Sequence, residues 1–205
     1  MPEYGFESEQ PRHTAAYLRA PIEGLLPPFV PGSRVLDIGC GNGYWVGQFL
    51  SKGYDAVGAD PSDTGVAIGR KAFPKGRFYH TIVTENFLRE INEVPFDVVI
   101  STEVVEHVYA PRLWAAAAFS CLKPGGRLIC STPYHGYFKN LVLAVLNKYD
   151  RHWDPLWDGG HIKFWSRKTL TKLLEEAGFV NVQFRGAGRA PYLWMSMVLS
   201  ADRPR

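Results

Sequence analysis

The 205-residue sequence contains few cysteines and no long hydrophobic segment. Its three cysteines, Cys40, Cys121 and Cys130, are an odd number and provide no disulfide framework, which fits a reducing cytoplasm. The N-terminal residues lack the charged start and apolar run of a signal peptide, and the longest aliphatic run, 141–146, is too short to span a bilayer. We therefore expect a cytoplasmic protein without a transmembrane segment.

The sequence also lacks a strong excess of charge of either sign. The formal net charge is +3, and the basic residues are scattered rather than grouped in one run. This balance makes nucleic acid an unlikely main partner. The length and the 46% of hydrophobic residues are enough for one sizeable core, so we predict a single domain over residues 1–205.

The most informative stretch is 35–43, where an apolar run ends in an acid and then breaks into a glycine-rich turn. A helix is predicted directly after it, over 44–50. Glycines let a backbone pass close to a ligand, and the first amides of the helix then face that ligand. The spacing departs from the dinucleotide fingerprint, because Tyr44 occupies the place of the last glycine. Asp37 would repel a pyrophosphate but suits a ligand that carries an amino group.

A second short strand, 56–60, ends in another acid about 20 residues further on, where a carboxylate suits a ribose diol. Together these features describe S-adenosylmethionine (SAM) better than NAD. At this point the sequence resembles the class I SAM-dependent methyltransferases. An NAD-linked enzyme and a degenerate Rossmann domain without a ligand are the alternatives.

The resemblance implies an α/β fold of the Rossmann-like, doubly wound type. Its mostly parallel seven-stranded sheet would carry helices on both faces and an antiparallel edge strand. The alternation of strands and helices over 34–131 agrees with this fold. The last two strands are predicted at 180–184 and 193–200. The expected product of the cofactor is S-adenosylhomocysteine (SAH).

The resemblance also implies a set of cofactor contacts. Asp37 would meet the methionine amine, the glycine turn would pass along the cofactor, and Asp60 would bind the ribose hydroxyls. The predicted cofactor-binding residues are Asp37, Gly39, Cys40, Gly41, Gly43, Asp60, Pro61, Thr84, Glu85 and Ser101. Of these, Thr84 and Glu85 are placed where the family usually contacts adenine.

Residues 1–30 are predicted to form an N-terminal arm and a lid helix, with the helix over 13–26. Methyltransferases of this class commonly use a leading helix to cover the cofactor cleft. The candidate contacts from this region are Tyr4, His13, Tyr17 and Arg19. The alternative, which we favour for each of them, is a surface residue of a packing helix.

Glu103, Glu106 and His107 follow the fourth predicted strand, 96–101, and would share one face if their segment were helical. They could bind Mg²⁺ or Mn²⁺. Alternatively, His107 or His135 could act as a metal-free general base that the acids orient. As a third possibility, the acids could cap a helix while His107 packs against the substrate.

The E-x-x-E-H pattern looks like that of the ubiquinone-biosynthesis O-methyltransferases. It also looks like that of metal-dependent enzymes that methylate the 3′-terminal ribose of small RNAs, for which His161 is a partial match to a further ligand. We favour the metal-free mechanism, with His107 and His135 as catalytic candidates and no residue assigned to a metal. A divalent metal stays possible.

Residues 132–165 are predicted to be an insertion that determines acceptor specificity. It is rich in aromatic side chains: Tyr134, Tyr137, Phe138, Tyr149, Trp153, Trp157, Phe164 and Trp165. These rings could wall a pocket for a ring-bearing small molecule, stack on single-stranded RNA, or form a satellite core. We predict methyl transfer to an oxygen of a small-molecule acceptor. RNA 2′-O-methylation and a non-catalytic SAM-binding partner protein are the alternatives, and the oligomeric state is unknown.

Overall fold

The computed structural model describes residues 5–11 and 13–205, so the predicted contact of Tyr4 lies outside the described residues. The strands are β1 (Arg34–Ile38), β2 (Asp55–Asp60), β3 (Arg77–His80), β4 (Phe96–Thr102), β5 (Leu122–Pro133), β6 (Val180–Ala187) and β7 (Ser196–Asp202). The helices are α1 (His13–Glu23), α2 (Tyr44–Ser51), α3 (Asp63–Ala72), α4 (Phe87–Glu90), α5 (Pro111–Cys121), α6 (Tyr137–Val145) and α7 (Arg167–Glu176), with a 3₁₀ turn at Tyr149–Arg151.

The strands form one seven-stranded sheet in the order β3-β2-β1-β4-β5-β7-β6. Strands β1 to β5 pair in parallel, whereas β7 pairs antiparallel with β5 and β6 pairs antiparallel with β7. This arrangement confirms the predicted Rossmann-like sheet with its antiparallel edge. The carboxyl ends of the parallel strands meet at one edge, where such sheets bind ligands.

The central strands are buried on both faces because their side chains alternate between two apolar clusters. On one face Val99 packs in the cluster that contains Leu36, and on the other Val98 packs with Val35. Val98 and Val99 are both fully buried. An unbroken apolar sequence is what a strand covered by helices on both sides requires, so the same residues that predict β4 also explain its central position.

The structure corrects several boundaries. Lys123 to Gly126, predicted as a turn before the fifth strand, lie within β5 at a break in the register with β4. The last strand begins at Ser196 rather than at 193, and α1 ends at Glu23 rather than at 26. The short helix α4 was not predicted. Among the described residues, no helix combines the length and apolar character needed to cross a membrane.

Candidate active site

A cavity of about 1110 Å³ opens at the carboxyl ends of the parallel strands. At one end it is lined by the glycine turn after β1 and by Asp60 at the end of β2. At the other end it is lined by Glu103, His107 and His161. One continuous space therefore joins the predicted cofactor residues to the predicted catalytic residues.

The glycine turn has a shape that only glycine adopts without strain. Gly39, Gly41 and Gly43 all have positive φ angles, of 78°, 50° and 81°. A Cβ atom at Gly39 would lie 2.3 Å from Cγ2 of Val104. The turn is thus packed tightly against the segment after β4, and its backbone is exposed to the cavity where a side chain would otherwise lie.

Asp60 fixes this turn to the end of β2. Its Oδ2 accepts a hydrogen bond from the Gly41 amide (2.8 Å), and its Oδ1 accepts one from the Ser62 amide (2.7 Å). Burial raises the pKa of Asp60, and the two backbone hydrogen bonds counteract that rise. A carboxylate has about four lone-pair sites, so two acceptor sites are left for the hydroxyls of a ligand.

Asp37 lies beneath the turn rather than in the lining of the cavity. It is 1% exposed, and neither carboxylate oxygen has a hydrogen-bond partner within the described part of the chain. Burial, and secondarily Asp60, raise the pKa of Asp37 well above its usual value. A buried acid without a partner is the group that a cationic ligand would stabilise.

The other predicted cofactor residues are divided. Cys40 and Pro61 line the cavity, whereas Ser101 is buried and donates a hydrogen bond to the Ile38 carbonyl (2.8 Å). Thr84 and Glu85 are exposed and lie outside the lining, and their contact with adenine stays a prediction.

The local structure after β3 explains this difference. The chain turns into α4 so that Phe87 is fully buried, which directs the preceding residues to solvent. His80 and Asp63 line the cavity at that end instead. His80 is the last residue of β3 and Asp63 begins α3 shortly after β2, so the rule that identified Asp60 could also have found them.

The helical face predicted for Glu103, Glu106 and His107 is wrong. The segment after β4 is a turn in which the His107 amide donates to the Val104 carbonyl, and Glu103 has a φ of 54°. The Glu103 carboxylate accepts hydrogen bonds from the hydroxyls of Ser131 (2.8 Å) and Ser196 (3.0 Å). Glu103 therefore joins β4, β5 and β7 at the floor of the cavity.

Glu106 and His107 are brought close to His161 instead. One ligand atom from each of the three lies within 4.8 Å of the others, and Glu106 Oε1 is 4.0 Å from His161 Nε2. The Glu106 carbonyl accepts hydrogen bonds from the amides of Ile162 and Lys163, which fixes the segment carrying His161 across the turn. We call Glu106, His107 and His161 the acceptor cluster.

The acceptor cluster contains a second buried acid without a partner. Glu106 is 1% exposed, and neither of its carboxylate oxygens has a hydrogen-bond partner in the described chain. Burial and the neighbouring Glu103 raise the pKa of Glu106 well above its usual value. Burial, with His107 nearby, lowers the pKa of His161 to about 4, so that ring is neutral near pH 7.

The tautomer of His107 follows from its neighbours. Nδ1 lies 2.8 Å from the Gly159 carbonyl oxygen and 3.2 Å from that of Gly160. Because a carbonyl only accepts, Nδ1 must carry the hydrogen, and in the neutral ring Nε2 holds the lone pair. Nε2 is therefore the atom of His107 that can accept a proton or ligate a cation.

His135 lines the same cavity from the segment after β5. It is 8% exposed, and its ring stacks on Trp153 at a centroid distance of 5.8 Å. Burial and the nearby Lys139 lower its pKa to about 4. A histidine with so low a pKa is a weak base near neutral pH, which makes His135 a poor candidate for proton transfer.

The comparisons with known proteins agree with this geometry. Residues 11–184 match the family model described as "Methyltransferase domain". The chain belongs to the class I SAM-dependent methyltransferases. It is 36% identical over 160 residues to the ubiquinone biosynthesis O-methyltransferase of Dinoroseobacter shibae and 35% identical over 184 residues to that of Ruegeria pomeroyi. These matches cover 76% and 87% of this chain but 63% and 72% of the relatives, so the chain spans about two thirds of their length.

Solved structures support the same fold. A SAM-dependent methyltransferase from Listeria monocytogenes gives a TM-score of 0.68 at 18% identity, covering 93% of this chain and 100% of that one. Magnesium protoporphyrin IX methyltransferase from Synechocystis, solved with bound SAH, gives a TM-score of 0.62 at 22% identity. The match covers 92% of this chain and 79% of that one. Both likenesses concern the fold of the methyltransferase domain.

In this methyltransferase, α1 and the residues before it cover part of the cavity. His13 and Tyr17 line it, as does Phe6. Tyr17 lies within hydrogen-bond distance of the Ser196 hydroxyl (3.4 Å). Arg19 is hydrogen-bonded to the Tyr44 hydroxyl and does not line the cavity. The role of α1 as a lid stays a prediction.

The aromatic residues of the insertion have different positions. Trp157 lines the cavity, whereas Tyr137 is 84% exposed. Tyr149, Trp153 and Phe164 form a cluster behind His135, with the rings of Tyr149 and Trp153 stacked at 4.2 Å. The insertion thus supports one wall of the cavity mainly through a satellite core.

Proposed function

We propose that this methyltransferase transfers a methyl group from SAM to a hydroxyl oxygen of a small-molecule acceptor. The observation that carries the proposal is the single cavity that joins the glycine turn to the acceptor cluster. A methyl donor held at the first end would present its reactive carbon toward the second. The curated relatives are named ubiquinone biosynthesis O-methyltransferases, which supports oxygen as the accepting atom.

The residues at the first end fit SAM. Asp60 has lone pairs left for the ribose hydroxyls, and the tight turn at Gly39 and Gly41 brings backbone rather than side chains to the cavity. Asp37, buried and without a partner, suits the ammonium group of the methionine moiety. When bound, SAM supplies an electrophilic methyl group on a positively charged sulfur.

The residues at the second end suit an acceptor hydroxyl. His107 Nε2 would accept the hydroxyl proton as the oxygen bonds to the methyl carbon and the carbon–sulfur bond breaks, leaving SAH, while the hydrogen bond from Nδ1 to Gly159 keeps the ring oriented. The proton then passes from the imidazolium to solvent. Holding donor and acceptor in line would supply most of the acceleration.

The test combines binding and turnover. SAM and SAH are titrated by calorimetry, and methyl transfer is assayed with phenolic, catecholic and ribose acceptors. His107→Gln should lower kcat about 100-fold and leave SAH affinity unchanged, because general bases contribute 10²–10⁴-fold. Tyr109→Phe is the control, since Tyr109, two residues after His107, is 87% exposed. Unchanged kcat in His107→Gln would overturn the role of His107, and tight SAM binding without turnover would favour the non-catalytic partner.

A second candidate is cation-assisted transfer, favoured by the unpartnered Glu106 beside two imidazoles. Two imidazole nitrogens and a carboxylate would suit Mn²⁺, which would help to ionise the acceptor hydroxyl. Stoichiometric Mn²⁺ uptake by SAH-loaded protein, lost in Glu106→Gln and His161→Gln but kept in Glu90→Gln, would support it. A ribose hydroxyl of RNA is the alternative acceptor for such a centre, and titration with a single-stranded oligonucleotide distinguishes the two acceptors.

A further inference from the structure

The wall of the cavity beyond the acceptor cluster carries a group of basic side chains. Lys139 of α6, Arg189 of the loop between β6 and β7, His135 and His152 all line it. Lys139 is 5% exposed, and Arg189 is exposed. The arrangement therefore has one cation inside the cavity and a second one in contact with solvent.

Helix α6 has an unusual distribution of side chains. Its buried residues are Lys139 and Leu143, whereas Tyr137 is 84% exposed and Val145 is 75% exposed. A helix that packed only for stability would bury the apolar residues and leave the lysine in water. The helix is thus oriented so that an ammonium group enters the cavity.

Within the described residues, neither Lys139 nor Arg189 is paired with a carboxylate inside 4.0 Å. The Lys139 ammonium donates to the Met195 carbonyl (3.3 Å), a neutral partner. Glu103 attracts Lys139 from further away, but its carboxylate is already held by Ser131 and Ser196. A buried ammonium without a counter-ion is unfavourable, and an anionic ligand would stabilise it.

We propose that Lys139, with Arg189, forms a subsite for an anionic group of the acceptor, a carboxylate or a phosphate. This inference rests on the proposed function, because it places the anion on the molecule whose hydroxyl meets His107. His135, stacked on Trp153 and in edge contact with Phe164, lies on the same wall, where a ring of the acceptor would pack. The acceptor class is then a hydroxylated ring compound that bears an acidic group.

The competing explanation is that Lys139 only holds the loop at Met195. Lys139→Gln separates the two roles, because its side-chain amide can still donate to that carbonyl but carries no charge. Lys148→Gln and Arg185→Gln are matched controls, since both residues are exposed and lie outside the lining. The thermal midpoint of each variant is measured first to confirm that it folds.

In the experiment, SAH-loaded protein is titrated in a calorimeter with benzoate, with phenyl phosphate and with the neutral benzamide. Wild-type protein should bind at least one anion about tenfold or more tightly than benzamide, as one charge-assisted hydrogen bond would give. Lys139→Gln should lose this preference, Arg189→Gln should reduce it, and both controls should retain it. Preference for benzoate or for phenyl phosphate identifies the acidic group.

Several results would overturn the subsite. These are equal binding of the anions and benzamide, no binding of either anion at millimolar concentration, or an unchanged preference in Lys139→Gln. The proposed function fails separately, through absent SAM and SAH binding in the preceding titration. If SAH does not bind, the anion titration is made on the ligand-free protein, where it still tests whether Lys139 determines the preference for anions.

Discussion

Replacing Asp60 by asparagine tests the architecture of the cofactor end most directly. The carboxylate accepts two backbone hydrogen bonds, from Gly41 and Ser62, and hydrogen bonds to charged groups contribute about 1.5–3 kcal/mol each. Asparagine retains one acceptor oxygen but turns an NH₂ group toward the other amide. We therefore expect Asp60→Asn to lose about 2–3 kcal/mol of stability, since one such bond is lost.

For a chain of this size that loss corresponds to a fall of roughly 5–10 °C in the thermal midpoint. SAH affinity should fall further, by about 100-fold, because two acceptor sites for the ribose hydroxyls are lost or weakened. Calorimetry with SAH and thermal unfolding followed by circular dichroism measure the two effects. Asp150→Asn, an exposed acid on the 3₁₀ turn, is the control.

The two measurements can fail independently. A normal midpoint would contradict the assignment of Asp60 as the residue that holds the glycine turn. SAH affinity within about threefold of wild type would contradict its role toward the ribose, since even one lost hydrogen bond to a charged group exceeds that change.

Three further outcomes are expected. Gly39→Ala, whose Cβ would clash with Val104, should weaken SAH binding at least about tenfold in calorimetry. Gly32→Ala is the control and should not weaken it, because Gly32 has a similar φ but no neighbouring atom near the added Cβ. Because burial raises the pKa of Glu106, wild-type thermal stability should fall as pH rises above the ordinary carboxyl range; Glu106→Gln should show a smaller fall, since Glu103 and Asp37 also have raised pKa values, and should turn over more slowly. Arg77 lowers the pKa of Asp55 to about 2, so wild type should lose up to about 1 kcal/mol of stability as the pH falls from about 4 to about 2. Asp55→Asn should lack this contribution, and urea titrations of both proteins over this pH range measure it.

The cofactor end could be predicted from the sequence because its signals are local. The glycine turn follows its strand directly, and the acid of β2 ends a short apolar run. Each feature depends on the backbone conformation of residues that are adjacent in the sequence. The parallel sheet follows from the same alternation of strands and helices, which explains why the topology was confirmed while boundaries moved by a few residues.

The acceptor end could be predicted only in part. His161 reaches Glu106 through backbone hydrogen bonds between segments that are far apart in sequence, and no local pattern encodes that pairing. The periodicity of 103–107 suggested a helix, but the tight contact of Val104 with Gly39 and the hydrogen bonds of Glu103 hold the segment in a turn. Lys139 was missed because a lysine in an apolar helix is ordinarily assumed to face solvent.

Three buried ionisable groups in the described part of the chain lie near the same edge of the sheet. The buried carboxylates of Asp37 and Glu106 have no hydrogen-bond partner, and buried Lys139 has no carboxylate within 4.0 Å, among the described residues. Replacing such groups by apolar residues is often stabilising, so stability alone does not explain them. A bound ammonium group would match Asp37, a hydroxyl or a cation would match Glu106, and an anion would match Lys139. It follows that SAH together with an anionic acceptor should stabilise the fold more than either alone.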